Sequence, residues 1–153
     1  MMSLQLKDVS FALHRIVTTQ FAILDEMLQA DTEILMNTTV NFGLGAAERI
    51  VGIKGVFQFE ADNKVFIKLE VCCEFVIDQS AWAQFILEDK QHILFPRGLM
   101  TQLTTLLVGT ARGILHSKTE NTPYNKFILP TINVTELVIN DVQMDLFAQP
   151  TAP

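Results

Sequence analysis

The stretch Ile93–Lys118, ILFPRGLMTQLTTLLVGTARGILHSK, decides how the rest of this chain must be arranged. Pro96 fixes its own φ and pushes Phe95 out of the helical region, so a helix can begin only after it. From Gly98 the spacing predicts a helix over 98–116, about 18 residues and roughly 27 Å long. Leu99, Leu103, Leu106, Thr110 and Ile114 recur three and four residues apart, with Met100, Leu107 and Ala111 beside them. His116 and Lys118 suit the negative end of such a helix. Gly109 and Gly113 stand one turn apart and admit two readings. Either they let another backbone approach closely, or they only weaken the helix, by about 1 kcal/mol each relative to alanine.

A helix this apolar needs a bed, and residues 65–78 supply one. Val65, Ile67, Leu69, Val71, Cys73, Phe75 and Ile77 alternate with Phe66, Lys68, Glu70, Cys72, Glu74, Val76 and Asp78. That pattern predicts a strand with an apolar odd face under the helix and a mixed, partly wet even face. Upstream, residues 5–18 read as a strand with Val9, Phe11 and Leu13 inward, and FAILDEMLQAD stays ambiguous between a short helix and an irregular crossover. From Glu33 to Leu44, Ile34, Met36, Thr38, Val40, Phe42 and Leu44 share one face, before a turn or bulge at Gly43–Gly45. Glu48 to Glu60 is a further strand, and Asp62-Asn63 turns it into the next. Residues 80–91 predict a short helix capped by Ser80, and 116–126 a polar loop. Asn133 with Glu136 makes a capping box for a last helix through Leu137, Val138 and Val142. Strands come first and helices last, the α+β order: a four-stranded antiparallel, Greek-key-like sheet with a long helix and a shorter C-terminal helix on one face. The expectation is one domain over 1–147 and a disordered tail at 148–153.

Composition narrows the function. The 153 residues are 49% hydrophobic with a formal net charge of −6, and the mean hydropathy is +0.29. No apolar run approaches the roughly 18 residues that span a bilayer, which argues against membrane insertion, and the start has no signal-peptide pattern. An excess of apolar side chains must then be hidden in an oligomer or used as a binding surface. Lysine and arginine nowhere cluster, which argues against nucleic acid. Cys72 and Cys73 are adjacent in a strand and point to opposite faces, so they do not pair, and a reducing cytoplasm fits.

Catalytic sets are absent from the sequence pattern. Ser3, Ser10, Ser80 and Ser117 lie in no nucleophile motif, and His14, His92 and His116 have no partner at metal-ligand spacing. No cofactor motif appears. Eleven phenylalanines stand against one tyrosine and one tryptophan. Phe57, Phe59, Phe66 and Phe75 fall on strands, whereas Tyr124 and Phe127 fall on the loop after the long helix, where they would wall an apolar groove.

At these residues the chain resembles the SecB family of export chaperones. Ile93-Leu94-Phe95-Pro96 is similar to the family's opening of its long helix, and Gly113 lies where its turn glycine falls. Leu129, Pro130, Ile132, Asn133 and Leu137 look like its second segment, and Phe11–Ile16 like its first strand. Arg97-Gly98-Leu99 departs from the family's Tyr-Ala-Arg, and the loop at 116–126 is longer. Gln20 and Leu24 stand where acids of the surface that docks the SecA motor would fall. AQPTAP lacks the family's acidic tail character.

The resemblance implies a dimer of dimers, built through the first strand and the long helix, that holds non-native polypeptides without ATP or chemistry. It makes Phe57, Phe59, Phe66, Val76, Tyr124, Phe127, Leu129, Ile132 and Leu137 candidates for the client groove. Phe11, Leu13, Leu103, Leu107, Gly109 and Gly113 become candidates for the homo-tetramer interface. Glu70 and Glu74 are left as the acidic residues for SecA as a second partner. Two other readings stay open. One is an adaptor or toxin–antitoxin-associated chaperone dedicated to a single partner. The other is a hot-dog-type thioesterase with Glu70 or Asp78 as base.

Overall fold

The structure, a computed structural model, describes residues 9–24 and 32–148. The start of the expected first strand at 5–8, the last seven residues of the ambiguous crossover at 25–31 and the tail at 149–153 lie outside the described residues. Four strands, β1 (Phe11–Ile23), β2 (Ile34–Gly45), β3 (Ile50–Ala61) and β4 (Lys64–Ile77), form one antiparallel sheet in the order β1-β4-β3-β2. Strands β2, β3 and β4 follow as a meander and β1 returns beside β4, the Greek-key-like α+β arrangement expected. Asp62 and Asn63 take φ of 51° and 61° in the β3–β4 hairpin, the left-handed pair that a two-residue turn of matching twist requires.

After the sheet come α1 (Gln79–Phe85), β5 (His92–Phe95), α2 (Arg97–Thr119), α3 (Val134–Leu137) and β6 (Val142–Asp145). The long helix is 23 residues, a turn and more beyond the predicted span. Its buried seam is Leu99, Met100, Leu103, Thr104, Leu107, Val108, Ala111, Leu115 and Thr119. That seam is rotated from the predicted stripe, and Leu106 is left 46% exposed. Thr104 and Thr119 sit in it at no cost in unpaired hydroxyls, because each donates to the carbonyl four residues back, Met100 and Leu115. Beneath it, Ile67, Leu69, Val71, Cys73, Phe75 and Ile77 of β4 and Val51, Ile53, Phe57 and Phe59 of β3 are buried, as the alternation requires. Gly55 leaves room for the side chains packed over it: a Cβ there would stand 2.7 Å from Phe57 Cε2 and 3.0 Å from Leu107 Cδ2.

Several local expectations are corrected. β1 runs on through FAI to Ile23, so the first three residues of the ambiguous segment are strand. Gly43 and Gly45 stay within β2, and a single 3-10 turn over Ala46–Glu48 follows. The N-cap of α1 is Asp78, not Ser80, whose hydroxyl donates to the Asp78 carboxylate; that bond holds the carboxyl below its usual pKa. The final helix is one turn, with Asn133 as its N-cap. Val142 belongs instead to β6, which pairs with β5 from His92↔Asp145 to Phe95↔Val142. Before β5, Asp89 accepts from the backbone N–H groups of Gln91 and His92, and His92 Nδ1 lies 2.6 Å from Asp89 Oδ2. This partnership lowers the Asp89 pKa and raises that of His92.

Two arginines of α2 fasten the chain that follows it. Arg112 donates from Nε to the carbonyl of Leu129 at 2.7 Å and from a terminal nitrogen to that of Pro130 at 2.8 Å. Arg97 donates to the carbonyls of Val138 at 2.6 Å and Thr135 at 2.9 Å, meeting groups that the end of α3 leaves unpaired.

Candidate functional site

The aromatic residues singled out as a groove close on one another. β4 carries one extra residue opposite the Phe59–Glu60 step of β3, since Phe59 pairs with Ile67 and Glu60 with Val65. The bulged residue is Phe66, which alternation alone would place on the wet face. Its ring instead lies 5.0 Å from Phe127, 6.3 Å from Phe59 and 6.5 Å from Tyr124, centroid to centroid. Phe127 in turn stands 6.0 Å from Phe59. Phe57, Phe59, Phe66 and Leu129 are therefore core and not groove wall. Tyr124, Phe127, Ile132 and Leu137 are half-buried around that core. Val76 is half-buried on the face of the sheet away from α2, opposite Ile50 and Ala12.

The residues expected at an oligomer interface also divide. Leu103 and Leu107 are fully buried against this chain's own sheet and cannot meet a second copy. Gly109 and Gly113 lie on the exposed side of α2, and a Cβ at either would meet nothing within 4 Å. Close packing within the chain is thus not what they serve. Phe11 is half-buried with its ring edge-on to Phe75 at 5.8 Å. Leu13 and Ile16 pair with Phe75 and Cys73, both under α2, yet are 49% and 46% exposed; farther along β1 the helix does reach the strand, where Lys118 Nζ lies 5.6 Å over the Phe21 ring. With Leu106, Leu13 and Ile16 form an exposed apolar surface, of which the sequence pattern places Leu13 and Leu106, but not Ile16, inward.

The far face of the sheet carries the charges. Glu70 stands 3.6 Å from Lys54 and 3.7 Å from Lys68 and accepts from the Thr19 hydroxyl at 3.2 Å. The charge of Glu70 is largely balanced in place by these two lysines. Asp78 is exposed at the start of α1, and Glu70 lies on the side away from α2. Neither carboxylate sits in a pocket against the long helix. Among the described residues no three His, Cys, Asp or Glu side chains gather so as to hold a metal ion. No helix among them is long and apolar enough to cross a membrane.

Two concavities lie at the end of β2, beside the expected turn or bulge at Gly43–Gly45. On the α2 side, a concavity of about 660 Å³ is lined by Phe42, Leu44, Ala46, Met144, Leu146 and Phe147, among others. On the opposite side, one of about 610 Å³ runs over Asn41, Gly43, Gly52, Lys54, Cys72, Glu74 and Arg15. The half-exposed Cys72 thiol there is held in its neutral form by partial burial and by Glu74, against the pull of Lys54 and Arg15. The signal that could have found this place is the glycine pair itself: Gly43 and Gly52 face each other across the β2–β3 ladder.

No protein-family profile matches the chain, and no curated protein is similar to it at a significant level. Among solved structures, a protein of unknown function from Streptococcus agalactiae is similar at 12% identity, over 82% of this chain and 98% of that chain, with a TM-score of 0.37. A likeness of that size carries no argument about what this chain does.

Proposed function

We propose that this protein is an ATP-independent, SecB-like chaperone that holds non-native polypeptides on apolar surface beside its long helix, and that it works as a homo-tetramer in the cytoplasm. One observation carries the reading. The core beneath α2 is filled, and large apolar side chains remain outside it on both flanks: Leu13, Ile16 and Leu106 toward β1, and Ile34, at 37% exposure, on β2. Burying such a side chain on a partner is worth about 1.5–3 kcal/mol, so a surface of this kind binds. The β1 flank, with Leu106 and the open Gly109–Gly113 side of α2, is the face offered to other copies, and the β2 flank is offered to clients. Several weak grooves acting on one unfolded chain would raise the avidity well above that of any single site. The balanced charge around Glu70 supports a holding role that does not depend on an acidic dock for an export motor.

The test combines solution mass with aggregation suppression. Four chains of 17.2 kDa, roughly 69 kDa, are expected, with near-stoichiometric protection of an unfolding protein. A monodisperse monomer that gives no protection at any ratio would overturn the proposal. A dedicated partner is the second reading, and the two concavities on either face of one end of β2 favour it, because they suit a single fixed segment. A pull-down dominated by one stoichiometric band, without general protection, would select it.

A further inference from the structure

Among the described residues β2 is hydrogen-bonded along one side only, to β3. A free edge of this kind is a template for another chain, and sheets ordinarily blunt it with lysine, proline, bulges or shortness. The opposite edge follows that rule: β1 contains Arg15 and changes register twice against β4, between Leu13 and Arg15 and between Thr18 and Gln20. β2 follows none of it. Its 12 residues, ILMNTTVNFGLG, contain no charge and no proline, and they pair with β3 without a slip from Ile34↔Ala61 to Gly45↔Ile50.

The space beside this edge has the form an added strand would need. Successive side chains of a strand point to opposite faces, and here both faces are hollow at the same end. Toward α2 the hollow is mostly apolar, with Phe42, Leu44 and Met144, and Glu48 and Asp145 also line it. On the other face its floor is the Gly43–Gly52 pair, where a Cβ on Gly43 would touch nothing within 4 Å. Bare cross-strand glycines are stabilised when an aromatic ring lies over them. The charges around that floor, Arg15 and Lys54 against Glu48 and Glu74, balance, which suits a neutral side chain.

We infer that β2 captures an extended segment of a non-native polypeptide as a fifth strand, with an apolar side chain in the hollow beside Phe42 and Leu44 and an aromatic one over Gly43 and Gly52. The inference rests on the chaperone reading above and specifies how that function recognises its client: by backbone pairing, with two alternating side chains read at one end. A second copy of this chain fits the edge less well. The outward residues of β2 are Leu35, Asn37, Thr39, Asn41 and Gly43, with no ring to place on the glycine floor.

The experiment is amide hydrogen exchange on the full-length protein, with and without a reduced and carboxymethylated, permanently unfolded globular protein as probe. Binding should slow exchange at every second amide of 34–45 by at least about tenfold, the amides of β1 staying unchanged. Gly43→Val, at a position with room for the side chain, should weaken probe binding about tenfold while leaving the melting temperature in place. Binding of the probe without alternating protection in β2 overturns this inference and leaves the chaperone reading standing; no binding of the probe overturns both. Protection of β2 that rises with protein concentration in the absence of probe assigns the edge to a second copy, and also overturns it.

Discussion

β1 and β2 close the same sheet at its two sides, and they leave different things unsatisfied. β1 is 13 residues with two register shifts, so its outer backbone is bent away from regular pairing, but it exposes Leu13 and Ile16 beside the long helix. β2 pairs with β3 without a register shift and is uncharged, and among the described residues what it leaves open is backbone. A surface of exposed side chains on a bent strand suits a folded neighbour of fixed shape. A row of unpaired amides and carbonyls suits a chain with no shape of its own, since any sequence can supply the matching groups. One small domain can thus separate assembly from capture by how it finishes the two ends of a single sheet.

The contrast can be broken most severely from the middle. Phe57→Ala removes a fully buried ring under α2 and should cost about 3–5 kcal/mol in denaturant unfolding. Both edges would then lose their behaviour together, whereas a loss below about 1 kcal/mol would mean that α2 is not what holds the sheet. Gly55→Ala comes next, because the added methyl meets Phe57 and Leu107 at contact too close to keep. Both neighbours are fully buried, and about 1–3 kcal/mol of destabilisation is expected by the same measurement.

Substitutions at the edges themselves sharpen the comparison. Leu13→Asp with Ile16→Asp should lower the solution mass below that of the tetramer, with aggregation suppression per site retained. Thr39→Lys, at an exposed position of β2, should weaken binding of an unfolded chain about tenfold with the mass unchanged. An exchange of these two outcomes would show that the edges have been assigned the wrong way round.

The smallest effect belongs to the pair beside β5. The His92 pKa is raised by Asp89, so its contribution is complete below the unfolded histidine value of about 6.5 and fades as pH climbs through the folded value. The Asp89 pKa is lowered, so its contribution is present above the unfolded carboxyl value of about 3.9 and fades as pH falls through the folded one. His92→Gln should therefore narrow the gap between melting temperatures at pH 5.5 and pH 8. An unchanged gap would show that this exposed pair contributes nothing.

Much of this architecture can be read from residue order. The alternation of 65–77, the stop at Pro96 and the Asp62-Asn63 turn are local signals, and each fixes an element by itself. The Phe66 bulge is not local: it exists only in the register of β4 against β3, so period-2 reading puts the ring on the wrong face. β5 and β6 are four residues each, too short for periodicity, and they find each other across about half a hundred residues of intervening chain. The seam of α2 was misjudged by a rotation because threonines at 104 and 119 can be buried once their hydroxyls bond up-helix. The hollows at the end of β2 come from missing side chains at Gly43 and Gly52, and a glycine's effect on a surface depends on which glycine lies across from it.

Cys73 lies fully buried on β4 beneath α2, and burial, outweighing a hydrogen bond with Thr110, pushes its thiol up to about 11. A thiol so placed reacts with an alkylating reagent only when the helix lifts and water enters. The rate at which Cys73 is labelled is therefore a built-in clock for the opening of this protein. It can be read by mass spectrometry in a wild-type chain, without a dye or a tag, and compared at rest and under a load of bound client.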